Sequence, residues 1–330
     1  MTIHLHNLDR LYAELKQSLD LATEQVYQSG RHLLGNCTKE LENRIAKLSQ
    51  AKHCVMLGSG SDALYYGLVA SGLSKSLIAF PAQTFIATKN SINRSNNIPV
   101  PVDVTDTGLL DWNKIPSGID HVIWVGLFGN NYQHLPENKK IYEDGAQHFG
   151  APLQGIFASY SFDPTKSLPN FGNAGAVVTN SDTIAGNLRS LRRHGLEIGG
   201  NSIPSERECA ELLVKLDHFP IWQERRQEIA RDYYQQIRHL VTCVTDPRGQ
   251  VSKFVISTPL RVELEMWMIK REIQIKRVYE QPIYKSPQAT ENCLCQLALP
   301  CDPYMTDHEL HHVILAIKEF FEEFPFKGGL

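Results

Sequence analysis

Nowhere in its 330 residues does the chain approach the roughly 18 consecutive apolar positions that a membrane-spanning helix needs, so no membrane span is expected. The opening MTIHLHNLDRLYAEL lacks a basic region followed by an apolar run and a small-residue cleavage site. A cytoplasmic protein is therefore expected. There is no excess of positive charge either: Lys+Arg number 33 against 36 Asp+Glu, and the formal charge of −3 gives no field that would draw in a nucleic-acid backbone or an anionic bilayer. The seven cysteines, at 37, 54, 209, 243, 293, 295 and 301, form no CxxC framework and are odd in number, which suits reduced thiols. Cys293, Cys295 and Cys301 lie near one another, but no histidine pair stands at zinc-site spacing from them, so no metal is expected. His308 and His312, one helical turn apart, read as a solvated helix start. Internal repeats and low-complexity tracts are also missing.

What is present is alternation. Between about residues 50 and 180, short β-branched runs (HCVML, SLIAF, HVIWV, KKIYE, AGAVVTN) alternate with helical or turn segments, the pattern of a mainly parallel sheet in an α/β layer fold. Ahead of it, LYAELKQSLDLATEQVYQSG and TKELENRIAKLSQ repeat apolar residues at helical spacing. SDTIAGNLRSLRRHG and a stretch from about 205 to 240 are amphipathic helices. FVISTPLRV, EMWMIKREIQIKRVY and TDHELHHVILAIKEFFEEF read as strand, mixed helix and helix. The expected division is a large domain over residues 1–234 and a small α+β domain over 235–330.

Three segments carry chemistry. LGSGSDAL places a Gly/Ser turn between a strand and a helix, so the backbone N–H groups near Gly60, Ser61 and Asp62 can face an anion; the same residues also make an ordinary helix cap. In KKIYEDGAQHFGA, Asp144 follows an apolar strand end with Gln147 a turn later, where a carboxylate can pair with a cationic ring nitrogen or simply cap a helix. In ASYSFDPTKSLPNFGNAGAVVTN, Lys166 lies between Pro164 and Pro169. A lysine held there and partly withdrawn from water loses proton affinity and becomes an imine-forming nucleophile, and Ser161 can donate to a phosphate.

Together with PAQTFIAT, LRRHG, GGNS and WQERRQEIARDYY, these segments resemble the DegT/DnrJ/EryC1/StrS family of pyridoxal-phosphate (PLP) sugar aminotransferases over almost the whole chain. The resemblance implies the aspartate-aminotransferase fold (PLP fold type I), working as a homodimer with shared active sites. It implies that Lys166 is the Schiff-base lysine, that Asp144 pairs with the pyridine nitrogen, and that Gln147 lies by the ring. Phe85 would stack on the ring face, Gly60, Ser61 and Ser161 would hold the phosphate, and Asn201 would reach it from the other subunit. L-Glutamate is the implied donor and a nucleotide-linked keto-deoxy sugar, aminated at position 3 or 4, the implied acceptor. Lys276, Arg277, Tyr279 and Tyr284 in KRVYEQPIYK are candidates to face the nucleotide. A cyclitol or other keto substrate, or a non-catalytic regulator on the same fold, are the alternatives. His148 and His194 are expected to be structural.

The chain departs from the family pattern in places. Gly126 stands where histidine is common, the stretch from Gly129 to IYED is short for a helix, Asn173 and Ala174 replace Asp-Gly, and Ile203 and Pro204 replace an arginine and an apolar residue. Lys166 argues against the family's dehydratase branch, which resembles the same fold with histidine in place of the lysine.

Overall fold

The computed structural model describes residues 2–132 and 134–325, so the last five residues of the expected small domain lie outside the described residues. Seven strands, β1 (His53–Leu57), β2 (Leu77–Pro81), β3 (Ile98–Val102), β4 (His121–Val125), β5 (Lys140–Asp144), β6 (Phe157–Ser161) and β7 (Gly175–Thr179), form one sheet in the order β3-β2-β4-β5-β6-β7-β1. The pairs β3/β2, β2/β4, β4/β5 and β5/β6 are parallel, and β7 runs antiparallel to both β6 and β1. The expected mainly parallel α/β sheet is therefore the one observed.

Side chains on a strand point alternately to opposite faces, which explains why the central strands read as continuous apolar runs: both faces are covered. In β1, Val55 and Leu57 pack with Ala63, Leu64 and Leu68 of α3 (Gly60–Ala70) and with Ile184 and Leu188 of α5 (Asp182–Leu191). Cys54 and Met56 point the other way, toward Leu11 and Leu15 of α1 (Leu8–Ser29) and Leu41 and Ile45 of α2 (Asn36–Leu48). A further helix, α4 (Ile86–Arg94), follows β2. No helix fills the short stretch between Gly129 and β5 among the described residues, where only a single 3-10 turn over Leu127–Gly129 precedes it.

Helix α6 (Glu206–Ile237) opens on a Ser205/Glu208 capping box and runs 32 residues, about 48 Å at 1.5 Å per residue. Its first half, with Cys209, Leu212, Leu216, Phe219 and Trp222, packs in the same core as α1 and α2. Its last turns, with Ile229, Ala230, Tyr233 and Ile237, belong to a second core built around an antiparallel sheet. That sheet has the order β10-β11-β9-β8, from β8 (Thr242–Cys243), β9 (Phe254–Ser257), β10 (Lys276–Arg277) and β11 (Gln296–Leu299). It is joined by α7 (Arg261–Lys270), α8 (Pro287–Cys295) and α9 (Asp307–Glu323), the last opened by a Thr306/Glu309 capping box. Residue 235, the expected first residue of the small domain, falls inside α6, and Ile3 from the far N-terminus joins the second core through a bridge to Ile273. Among the described residues no helix is long and apolar enough to cross a membrane, and no group of three or more His, Cys, Asp or Glu side chains is arranged to hold a metal ion.

Candidate active site

The carboxyl ends of the parallel strands are where an α/β sheet presents loops and helix N-termini to a ligand. A cavity of about 420 Å³ lies there, walled by Ser59–Ser61, Thr84 and Phe85, Asp144 and Gln147, the Ser161–Lys166 loop, and, from in and beside the small antiparallel sheet, Lys253, Lys276 and Tyr279.

Asp144 is the last residue of β5 and only 8% exposed. Its Oδ2 accepts from the Thr88 hydroxyl at 2.8 Å and its Oδ1 from the Ala146 N–H at 3.3 Å. Burial pushes the carboxyl above its ordinary value, opposed by these two donors and by the charge of Lys166. Lys166 sits in a turn closed by its own N–H to the Asp163 carbonyl at 2.9 Å, while Phe162 bonds Ala174 and Asn170 bonds Phe162 across the loop base. Burial lowers the proton affinity of Lys166, and the carboxylates of Asp144 and Asp163 partly restore it. The lysine and the buried carboxylate thus share one pocket and shape each other's charge.

Next to them is an anion cradle. Ser59 caps α3 by accepting from the Asp62 N–H at 3.1 Å, and the N–H groups of Gly60 and Ser61 have no hydrogen-bond partner among the described residues. A Cβ on Gly60 would lie 2.5 Å from Cβ of Ser161, so only glycine lets the first turn of α3 approach the Ser161 hydroxyl this closely. Free N–H groups at a helix start beside a hydroxyl suit a phosphate dianion.

Gln147 lines the same cavity and uses Oε1 to accept from the N–H of Phe128 at 3.0 Å. Tyr279 adjoins Gln147 and Asp144, and burial raises its hydroxyl's pKa. Phe85, at the start of α4, reaches the cavity with 61% of its surface exposed. Asn201 is exposed and does not line the cavity of its own chain; beside it, Ser202 accepts from Gly58 N–H at 3.0 Å and donates to Asp62 at 2.8 Å, tying the segment to α3.

The four KRVYEQPIYK candidates divide. Lys276 and Tyr279 line the cavity. Arg277 is held by Glu265 at 2.8 Å and Glu280 at 3.2 Å, and Tyr284 packs edge-on against Phe80 beneath Lys89. Neither of the latter two lines the cavity. Gly126 has a structural reason: a Cβ there would lie 2.5 Å from Cβ of His148, whose ring is buried edge-to-face on Trp124. His148 is pushed down to about 4 by burial and stands outside the cavity, as does the exposed His194.

Several site residues escape sequence reasoning. Thr88, in the first turn of α4, does not line the cavity itself but bonds Asp144, 56 positions away. Of the wall residues, His6, Arg226 and Lys253 come from three distant segments, and Asn173, visible in the sequence only as a departure from the family pattern, comes from the loop after Lys166.

A lysine of lowered proton affinity, a buried carboxylate and a phosphate cradle in one cleft of this sheet define a PLP-dependent enzyme of the aspartate-aminotransferase fold, and the residues present fit that cofactor. The chain belongs to the DegT/DnrJ/EryC1/StrS aminotransferase family, whose model matches residues 14–318. It is similar to a pleiotropic regulatory protein of Geobacillus stearothermophilus, with 29% identity over 98% of this chain and 100% of the relative. It is also similar to dTDP-3-amino-3,4,6-trideoxy-alpha-D-glucose transaminase of Streptomyces venezuelae, with 30% identity over 96% of this chain and 95% of the relative. Among solved structures, S. venezuelae DesV in complex with ketimine intermediate superimposes with a TM-score of 0.91 and 27% identity, over 97% of this chain and 99% of that one. The protein is a PLP-dependent transaminase.

Proposed function

We propose that the enzyme takes an amino group from L-glutamate and passes it to the keto carbon, at position 3 or 4, of a nucleotide-linked deoxy sugar, as a cytoplasmic homodimer. The observation that carries this is the convergence of Lys166, Asp144 and the Gly60–Ser61–Ser161 cradle on one cavity, in a chain whose relatives include a dTDP-sugar transaminase. PLP, when bound, supplies the electron sink for both half-reactions.

The chain's own groups do the rest. Lys166 holds the cofactor covalently through Nζ, and its lowered proton affinity keeps a fraction of that amine unprotonated and nucleophilic. When not bonded to the cofactor, the same Nζ would be the group placed to take and return a proton beside the substrate carbon. Asp144 pairs with the ring nitrogen and keeps it protonated; the Thr88 and Ala146 donors favour its ionised form against the cost of burial. The Gly60 and Ser61 N–H groups and the Ser161 hydroxyl hold the phosphate, Asn201 reaches it from the partner subunit, and Phe85 stacks on the ring. Gln147 orients beside the ring with Tyr279. Lys276 and Tyr279 are placed to meet the sugar nucleotide.

The regulatory relative favours one rival, a PLP-fold regulator, but the retained lysine, carboxylate and phosphate cradle serve chemistry that a regulator does not need. The test offers dTDP-, UDP- and GDP-linked ketosugars, free ketoses and a keto-cyclitol with L-glutamate and follows amine formation. Amination of a nucleotide-linked ketosugar supports the proposal; amination of only a free sugar or cyclitol moves the substrate class, and discharge by no acceptor favours the regulator.

A further inference from the structure

Besides the phosphate cradle, the cavity wall carries more positive charge than the cofactor can use. Lys253, just before β9, and Arg226 in α6 both line the cavity, and neither side chain makes a hydrogen bond or ion pair among the described residues. Arg226 is 5% exposed and its Nη1 is buried without a partner. A buried guanidinium with an empty donor is unfavourable unless something fills the position. The two charges also disfavour each other: burial with the charges of Lys166, Lys276 and Arg226 brings Lys253 down to about 8. His6 joins them from the N-terminal segment, held neutral with a pKa of about 4 by burial and by Lys253, so that it has one ring N–H to give.

The carboxylates nearby act on the pair only through space, Asp163 on Lys253 and Asp302 on Arg226, and form no ion pair with them. Asp163 is engaged by the Thr165 N–H at 2.9 Å and the Thr165 hydroxyl at 2.6 Å. Asp302 accepts from the Asn7 amide at 3.2 Å and the Tyr304 N–H at 3.0 Å. Asp144 is committed to Thr88 and Ala146. Two cations without a hydrogen-bonded or ion-paired partner and a neutral imidazole, lining one cavity with the reacting lysine, form a receptor for a small anion.

We infer that Arg226, Lys253 and His6 form a second anion subsite in the cavity, which binds a carboxylate or phosphate carried by a substrate. It is separate from the Gly60–Ser161 cradle, and it rests on the transaminase reading above. The anion belongs either to the amino donor or to an acidic substituent of the keto acceptor.

Stopped-flow half-reactions on the PLP-loaded enzyme separate the two sources. L-Glutamate is titrated against the cofactor's absorbance in one series; in the other, the aminated enzyme is discharged by paired 3-ketosugar nucleotides with and without a C6 carboxylate. Lys253→Gln should raise the half-saturating concentration roughly tenfold or more in one series only, while Lys253→Arg stays near wild type. An effect in the glutamate series assigns the anion to the donor. An effect confined to the carboxylate-bearing acceptor assigns it to the acceptor. Half-saturating concentrations unchanged in both series, in a variant with wild-type melting temperature and cofactor content, overturn the inference. If wild type shows no glutamate-dependent spectral change, the transaminase reading fails instead; calorimetric titration of 2-oxoglutarate and inorganic phosphate into wild type and Lys253→Gln then decides the subsite. Binding lost in the variant supports it, and equal or absent binding in both overturns it.

Discussion

Removing the methyl-flanked hydroxyl of Thr88 gives a sharp test of how Asp144 is kept ionised. A carboxylate can only accept, so Thr88 must donate its proton to Asp144 Oδ2 at 2.8 Å, and the Thr84 hydroxyl, 3.0 Å from Thr88 Oγ1, must then be the donor to Thr88. Thr88→Val deletes one hydrogen bond to a charged acceptor, worth about 1.5–3 kcal/mol. Burial already raises Asp144, and Thr88 opposes that rise. Losing Thr88 therefore raises it further. The acid limb of kcat against pH should move up, and Thr88→Ser, which keeps the hydroxyl, should restore it. The stability of the cofactor-free protein carries the same sign. A carboxyl whose folded pKa is raised above its unfolded value opposes folding as pH rises through the folded pKa, so Thr88→Val should lower the melting temperature more at neutral than at acid pH. An acid limb and a melting curve that both coincide with wild type would refute the account of Asp144.

Other outcomes follow from single contacts. Gly60→Ala should fold yet retain PLP poorly after dialysis, because the new Cβ displaces Ser161; absorbance of the dialysed protein reads this. Asp144→Asn should keep the fold and its cofactor content but lose at least about a hundredfold in kcat, a general acid–base-sized loss, measured by single-turnover amination. Glu206→Ala should cost about 3 kcal/mol or more in denaturant unfolding, because Glu206 is 2% exposed and takes hydrogen bonds from Gly35, Cys37 and Thr38 at the start of α2, which would be left without a partner. If Asn201 acts across a dimer interface, mixing inactive Lys166→Ala and Asn201→Ala subunits should regenerate activity, and a monomeric active enzyme would exclude it.

The large sheet was legible where strands are buried on both faces, because HCVML, HVIWV and AGAVVTN then read as unbroken apolar runs. It was illegible at its rim and at the site. β3 is IPVPV, and two prolines argue against a strand until its edge position, where a missing N–H costs nothing, is known. β6 is FASYS, whose serines look like loop; Ser159 instead bonds the Glu143 carbonyl at 3.2 Å within the sheet and Ser161 ends the strand at the cavity. Lys166, Asp144 and Gly60 were visible because each lies in a local strand-to-turn signature that chemistry requires. Arg226 was not: ERRQEIARDYY marks an amphipathic helix, and which of its arginines turns inward depends on a second core that only tertiary packing creates. Lys253 and His6 likewise acquire meaning only when β9 and the N-terminal segment close over the carboxyl ends of the sheet.

The central claim is that Lys166, and no other lysine on this cavity wall, carries the cofactor. Borohydride reduction of the PLP-loaded protein, proteolysis and mass mapping test it directly. A pyridoxyl mass addition on the peptide containing Lys166, with none on those containing Lys253 or Lys276, is the predicted result. Modification of Lys253, of Lys276 or of any other lysine in place of Lys166, or no fixed cofactor after reconstitution, would contradict it.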